Sequence, residues 1–242
     1  MKNFNESKYR VFIDFDGTIT TEDVGEKFFV TFADKEKAYE IVKEWLDGKI
    51  TSRETWERLC RLIEKLDMKK FDEFIDEIEI DPYFIEFVEF LKKHNVEPII
   101  LSDGLDYYIS RIMKKFGLDY LKVYSNRAVF RNGKCFPEFP YTDEECKLCA
   151  NCKRNHILAN SADDDFTFYI GDGFSDACPV QYCDFVFAKK SLLKYCEKNR
   201  ITYFPYTTFR DVQKRLEELF PRNRLKKRNR AVMKRREVYL RG

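Results

Sequence analysis

The amino-acid sequence predicts an α/β fold: a Rossmann-like parallel sheet with helices on both faces, interrupted by an inserted α-helical cap. Three observations predict it. Apolar runs at Tyr9–Phe15, Val96–Leu101 and Phe166–Ile170 read as buried strands. Between them, apolar positions recur at three- and four-residue spacing, the period of amphipathic helices. Strands that alternate with helices pair in parallel, because each crossover helix carries the chain back along one face of the sheet.

The elements follow in order. Tyr9–Phe15 closes on Asp16-Gly17, a strand ending in a tight turn. From about Val24 to Ile80 the pattern is helical: Phe28, Phe29 and Phe32, then Ile41, Val42 and Trp45, then Trp56, Leu59, Ile63 and Leu66. Thr51-Ser52-Arg53-Glu54 offers a capping box before the Trp56 helix. Asp81-Pro82 opens the next helix, where the missing proline N–H costs nothing. After the Val96–Leu101 strand, Leu105–Phe116 reads as a helix stopped by Gly117, and Lys122–Tyr124 as another core strand. Ala128–Phe130 and Lys134–Phe136 flank Asn132-Gly133 as a β-hairpin. A cysteine-rich loop, a helix from about Lys153, the Phe166–Ile170 strand, a short helix after Gly173, a strand at Asp184–Phe187 and an amphipathic helix at Val212–Phe220 complete the pattern. The expected division is a core of residues 1–22 and 81–220, a cap of 23–80, and a tail of 221–242.

Composition sets bounds. With 242 residues, 44% of them apolar, the chain can bury a substantial core, which excludes wholesale disorder. No apolar run approaches the roughly 20 residues of a membrane-crossing helix, which also excludes membrane pumps. The opening MKNFNESKYR lacks the apolar centre of a secretory leader, so a cytoplasmic location is expected. The net charge of +2 hides an asymmetry: residues 221–242 hold ten Lys/Arg against Glu237, or +9, which leaves −7 for residues 1–220. Such a tail can neutralise the phosphates of a nucleic acid or another anionic partner. With no interleaved aromatic pattern, a solvated extension is the reading preferred here.

Four short segments carry chemistry, and each falls at the carboxyl end of a strand, where open parallel sheets bind ligands. A carboxylate such as Asp14 can attack phosphorus, and Asp16, two residues on, points the same way along an extended chain. It can protonate the leaving oxygen and then deprotonate a water. Adjacent carboxylates and a phosphate repel one another, so a cation is required; Mg²⁺ takes oxygen ligands, which Asp172 and Asp176 of Gly171-Asp172-Gly173-Phe174-Ser175-Asp176 can supply with Asp14. Ser102, followed by Asp103 and Gly104, offers a hydroxyl and helix-terminal amides to a phosphate, or an ordinary helix cap. Lys153 can balance the nucleophile and phosphate oxygens.

Taken together, Asp14-Phe15-Asp16-Gly17-Thr18, Ser102, Lys153 and the GDGxxD stretch resemble the haloacid-dehalogenase-like (HAD) superfamily of phosphohydrolases, from about Tyr9 to Phe220. The resemblance implies Asp14 as nucleophile, Asp16 as acid/base and a backbone-carbonyl ligand, Ser102 and Lys153 as phosphate partners, and Asp14, Asp172 and Asp176 as Mg²⁺ ligands. Dehalogenases proper lack the second Asp, so Asp16 implies phosphate esters. The helical insertion is similar to the phosphoserine-phosphatase-like branch. Within it the motifs look most like the methylthiopentenyl-phosphate phosphatases and the phosphoethanolamine/phosphocholine phosphatases, the latter through Cys178-Pro179. Phosphoserine phosphatases usually follow the motif-two serine with two glycines; Asp103 replaces the first. The implied activity is Mg²⁺-dependent hydrolysis of a small phosphorylated metabolite. The alternatives are a phosphotransferase or mutase of the same chemistry, or a binding protein that uses its basic tail.

Two features stand outside that pattern. Cys146, Cys149 and Cys152 have the spacing of a structural Zn²⁺ site, with His156, Cys135 or Cys178 as fourth ligand, or of redox-active or plain reduced thiols. Glu22, Asp23 and Arg53, at the start of the cap and on its Trp56 helix, are candidates for substrate selection.

Overall fold

The apolar run before Asp14 becomes the middle of a parallel array in the computed structural model, which describes residues 8–222 and 225–241. In chain order the strands are β1 (Tyr9–Ile13), β2 (Ile99–Leu105), β3 (Lys122–Arg131), β4 (Lys134–Glu138), β5 (Phe166–Gly171), β6 (Phe185–Ala188) and β7 (Phe204–Pro205). The helices are α1 (Val24–Phe32), α2 (Lys35–Leu46), α3 (Ser52–Arg61), α4 (Met68–Asp76), α5 (Phe84–Lys93), α6 (Asp106–Lys115), α7 (Lys153–Ala159), α8 (Lys190–Lys198), α9 (Phe209–Leu219) and α10 (Asn229–Arg241). By compactness the chain divides into two units, residues 1–19, 80–101 and 153–242, and residues 20–79 with 102–152. Compactness thus groups the helical segment with the hairpin and the cysteine loop.

The first unit carries the strand order β2-β1-β5-β6-β7, with β2 contributing its opening residues up to Leu101, all parallel where paired. Successive residues of β1, β5 and β6 are buried. Because neighbouring side chains on a strand point to opposite faces, both faces are covered. Aromatic side chains do much of that covering: Phe209 of α9 packs on Phe84 and Phe87 of α5 at 4.8 and 5.0 Å, and Phe220 stacks on Tyr9 at 4.3 Å between ring centroids. Helix α5 begins two residues later than Asp81-Pro82 implied. The Asp81 carboxylate accepts the Tyr83 N–H (2.9 Å) and the Phe209 N–H (3.2 Å), so Asp81 anchors a turn ahead of the helix.

The basic tail is not a solvated extension. Helix α10 packs with Ala231 and Arg235 buried, and the Arg235 guanidinium donates to Asp184 Oδ1 (3.1 Å), Thr167 Oγ1 (3.1 Å) and the Tyr182 carbonyl (2.6 Å). Arg228 donates to the Val180 carbonyl and Lys227 to the Asp163 carbonyl. Part of the charge that the sequence reading left to solvent goes to the chain's own acceptors, and a buried Asp184 demands a partner.

In the second unit the helices α1 to α4 form as their periodicity predicts, and the capping box of Thr51 and Glu54 is present at α3. Phe28, Phe32, Phe71 and Phe74 make an aromatic cluster, with Phe28 and Phe71 centroids 4.5 Å apart. The hairpin is antiparallel, β3 to β4, and turns through Asn132 (φ 52°) and Gly133 (φ 74°), both left-handed as a tight two-residue turn requires. Strand β3 runs unbroken from Lys122 to Arg131 and is only half-buried, so its first residues are not the core strand expected.

Candidate active site

Strand pairing sets the site. The β1–β5 register matches Ile13 with Ile170, and the Asp14 N–H continues the ladder to the Ile170 carbonyl at 2.9 Å. Asp14 and Gly171 therefore lie side by side at the carboxyl ends of the two strands. The chain turns after each: Gly17 takes φ 71°, and a short 3-10 turn at Phe174–Asp176 brings Asp176 back. Gly171 has no room for a side chain, since a Cβ there would lie well under 3.0 Å from the Asp176 carboxylate. A Cβ on Gly17 would fall 2.5 Å from Asp172 Oδ2.

Asp14, Asp172 and Asp176, all buried, each bring a carboxylate oxygen within 4.8 Å of the others. Lys153, at the start of α7 and buried, donates from Nζ to Asp14 Oδ1 (2.6 Å), Asp176 Oδ1 (2.7 Å) and Ser175 Oγ (3.2 Å). Asp176 is held by three further donors: the Tyr169 hydroxyl (2.6 Å) and the Asp172 and Gly173 N–H groups (3.0 and 3.1 Å). Asp172 accepts from Thr18 Oγ1 (3.2 Å) and Lys190 Nζ (2.8 Å), and Lys190 also donates to the Gly17 carbonyl at 3.3 Å.

Two ammonium groups do not balance three carboxylates in so dry a place. Burial, then repulsion from Asp176, pushes the Asp14 carboxyl well above the usual carboxylate range despite Lys153. Burial and Asp176 raise Asp172 too, against the pull of Lys190. Burial and Asp176 push the Tyr169 phenol far up, so it stays a proton donor to Asp176. An all-oxygen donor set with surplus negative charge fits a hard divalent cation such as Mg²⁺.

Of the residues singled out from sequence, Asp14, Lys153, Asp172 and Asp176 come together. Asp16 is half-buried and outside the carboxylate triad. Ser102, Asp103 and Gly104 lie in the second unit, inside β2 rather than at a helix start. The Ser102 hydroxyl accepts the Gly104 N–H at 2.8 Å, and Asp103 accepts from the Ser52 hydroxyl at 3.1 Å. Helix α6 starts only at Asp106 and its cap position, Leu105, makes no side-chain bond, so Ser102 is not a helix cap.

Among the described residues the thiols do not gather as a metal-ligand set; only the three carboxylates do. Cys135, Cys146, Cys149, Cys152 and Cys178 are not in disulfides. Cys135 instead meets the thiol of Cys60, which that contact and burial push upward. Zn²⁺ held by Cys146, Cys149 and Cys152 with His156, Cys135 or Cys178 is therefore without support. The candidates for selection have local partners: Asp23 caps α1 through the Glu26 N–H, Glu22 pairs with Lys27 at 2.6 Å, and Arg53 lies over the Phe139 ring.

Sequence reasoning missed Lys190 and Tyr169, and took Thr18 only as part of the Asp14–Thr18 motif, with no role of its own. Lys190 adopts φ 47°, a left-handed conformation that costs a lysine on the order of 1 kcal/mol. Strain of this kind gathers at functional sites. Thr18 could have been read from the Asp-Gly-Thr turn; Lys190 had no local signal beyond a Lys-Lys pair after a strand.

The chain is similar to known proteins over most of its length. A family model described as "Putative Phosphatase" matches residues 9–203. The 2-hydroxy-3-keto-5-methylthiopentenyl-1-phosphate phosphatase of Bacillus mycoides (strain KBAB4) is 33% identical over 213 residues, 87% of this chain and 96% of that protein. The protein of the same description from Bacillus cereus (strain ATCC 14579) is 32% identical over the same shares. A solved phosphoserine phosphatase, an analogue of the phospho-aspartyl intermediate, superposes with TM-score 0.68 at 23% identity, covering 87% of this chain and 99% of that one. Phosphoserine phosphatase from T. onnurineus gives 0.66 at 18% identity, covering 89% and 97%. These structures establish the shared HAD-like fold.

Proposed function

The chain belongs to the "Putative Phosphatase" family, matched over residues 9–203, and from that premise we propose that this hydrolase of phosphoric monoesters works through a phosphorylated Asp14 with Mg²⁺ as cofactor. The observation that carries the proposal is the convergence of Asp14, Asp172 and Asp176 within 4.8 Å beside Lys153. Asp14, Asp172 and Asp176 would hold the Mg²⁺, whose charge keeps buried carboxylates ionised and draws in a phosphate dianion.

Asp14 attacks phosphorus with one carboxylate oxygen; a P–O bond forms to it and the bond to the ester oxygen breaks. Asp16 gives its proton to that leaving oxygen, so the alcohol departs neutral. Asp16, now a carboxylate, removes a proton from water, whose oxygen displaces Asp14 and releases inorganic phosphate. Lys153 holds Asp14 and Asp176 in place through both steps, and Tyr169 fixes Asp176 from behind. Ser102, with Asp103 and Gly104, is the proposed partner of the phosphate oxygens on the strength of the resemblance. Segment 23–80 is the proposed source of substrate selection.

The substrate proposed first is 2-hydroxy-3-keto-5-methylthiopentenyl-1-phosphate, the ester named for the curated relatives. The test compares phosphate release from that ester and from an aryl phosphate, with and without Mg²⁺, in wild type and Asp14→Asn. Release that needs Mg²⁺ and vanishes in Asp14→Asn supports the proposal; equal release in the variant overturns the role of Asp14.

A further inference from the structure

We propose that the cleft between the start of α8, β7 and α9 is a second binding site, for an organic phosphate or phosphonate with a flat apolar body, and that it communicates with Asp172 through Lys190. The cleft is an open groove of ≈ 630 Å³ within the first unit. Its walls include Leu193, Phe204 and Tyr206, and its cations include Lys189, Lys190 and Lys214. Two acids share the lining: Asp211 accepts the N–H groups of Thr207 and Thr208 at 2.9 and 3.0 Å and keeps its charge, which Lys214 also favours, and Glu218 pairs with Arg215 at 2.5 Å.

Lys189, Lys190, Lys214 and Arg215 thus outnumber Asp211 and Glu218 in the lining, although Lys190 is itself paired with Asp172. Lys189 lies over the Tyr206 ring at 5.0 Å, and burial pulls it below the ordinary lysine value, although Asp172 favours its charge more than Lys190 opposes it. Among the described residues no carboxylate forms an ion pair with Lys189 or Lys214. A dianion supplies Lys189 and Lys214 with a counter-charge, and a flat apolar body lies against Leu193 and Phe204, whose ring already has the Arg215 guanidinium 5.0 Å from its centre. The family model ends at residue 203, so the β7 and α9 side of the cleft lies beyond it.

Lys190 belongs to both places. Its side chain is 54% exposed, yet its Nζ holds Asp172 Oδ2 at 2.8 Å. An anion in the cleft competes with Asp172 for that ammonium. Asp172 then has less compensation within the protein and takes a divalent cation more strongly. By linkage the cation tightens the anion by the same factor.

The probe is phenylphosphonate, titrated by calorimetry into protein stripped of metal with a chelator. Without a cation the carboxylate cluster repels anions, so binding there reports the cleft and does not depend on phosphatase activity. The expected result is a single saturable phase, weakened about tenfold in Lys189→Gln/Lys214→Gln and measurably in Lys214→Gln alone, an exposed position where folding is not at stake. A Mn²⁺ titration followed by electron paramagnetic resonance should then show phenylphosphonate tightening Mn²⁺ more in wild type than in the double variant. No saturable binding to the stripped protein, or equal affinity in the variants, overturns the second site. Equal tightening in both proteins overturns the coupling.

Discussion

At its amino end β5 presents Thr167 to Asp184 and Arg235; just past its carboxyl end it delivers Asp172 and, a turn later, Asp176 to the side of Asp14. Both groups are buried carboxylate sites on one strand, and they are built on opposite terms. Asp184 receives the Thr167 N–H and hydroxyl at 3.1 and 3.0 Å and meets one guanidinium, so charge and hydrogen bonds close within the protein. At the other end three carboxylates share two ammonium groups, one of them on the strained Lys190, beside two glycines where a Cβ would crowd a carboxylate. A charge imbalance buried this deep opposes folding, and it persists where a ligand completes the set. On the proposed mechanism the balanced end serves stability and the unbalanced end serves chemistry.

The largest effect should come from breaking the unbalanced end. Asp14→Asn is expected to lower turnover by about 10⁴-fold or more, as loss of a nucleophile does. The same change should raise the melting temperature of the metal-free protein by about 2–4 °C, the shift that roughly 1 kcal/mol makes in a chain of this size. Steady-state kinetics and calorimetry on one preparation check both.

Arg235→Ala reverses that pattern at the balanced end. It strands a buried carboxylate, an error that costs about 3–5 kcal/mol, so the melting temperature should fall by about 10 °C. Turnover per folded molecule should stay near wild type. If activity fell without loss of stability, the division between the two ends would be wrong.

A smaller effect is expected from Gly171→Ala, whose methyl displaces the Asp176 carboxylate. The Mg²⁺ concentration for half-maximal activity should rise about tenfold, as for other changes beside metal ligands, with kcat at saturating Mg²⁺ less affected. The pH dependence sharpens the same point. A carboxyl raised in the fold binds its proton more tightly there than in the unfolded chain, so the fold loses stability as pH climbs from the ordinary carboxylate range towards the raised value. Metal-free wild type and Asp14→Asn should therefore be equally stable at low pH and diverge, with the variant ahead, towards neutrality. Denaturant melts across that range measure it. The smallest change lies in the second unit: Thr51→Ala removes one half of the α3 capping box and should cost about 1 kcal/mol.

The sequence shows the unbalanced end more readily than the balanced one. Asp14, Asp172 and Asp176 come after short apolar runs closed by Asp-Gly or Gly-Asp turns, which read as strands, and Asn132-Gly133 announces its hairpin, so local pattern suffices for both. Ser102-Asp103-Gly104 looks like a turn but continues β2, because distant side chains satisfy its backbone: Asn151 Nδ2 reaches the Ser102 carbonyl at 2.7 Å and Asn126 Nδ2 the Asp103 carbonyl at 2.5 Å. Arg235 finds Asp184 across 51 residues, a pairing that no charge count in the tail reveals. Lys190 and Tyr169 matter through the places to which α8 and β5 bring them, and their own neighbours in sequence carry no mark of it.

The most direct measurement is an acid quench during turnover of an aryl phosphate labelled on phosphorus, with Mg²⁺ present. The account predicts base-labile label on wild-type protein, more of it in Asp16→Asn, where water attack slows, and none in Asp14→Asn. Label that persists in Asp14→Asn, or turnover by wild type with no labelled protein at any time point, would contradict it.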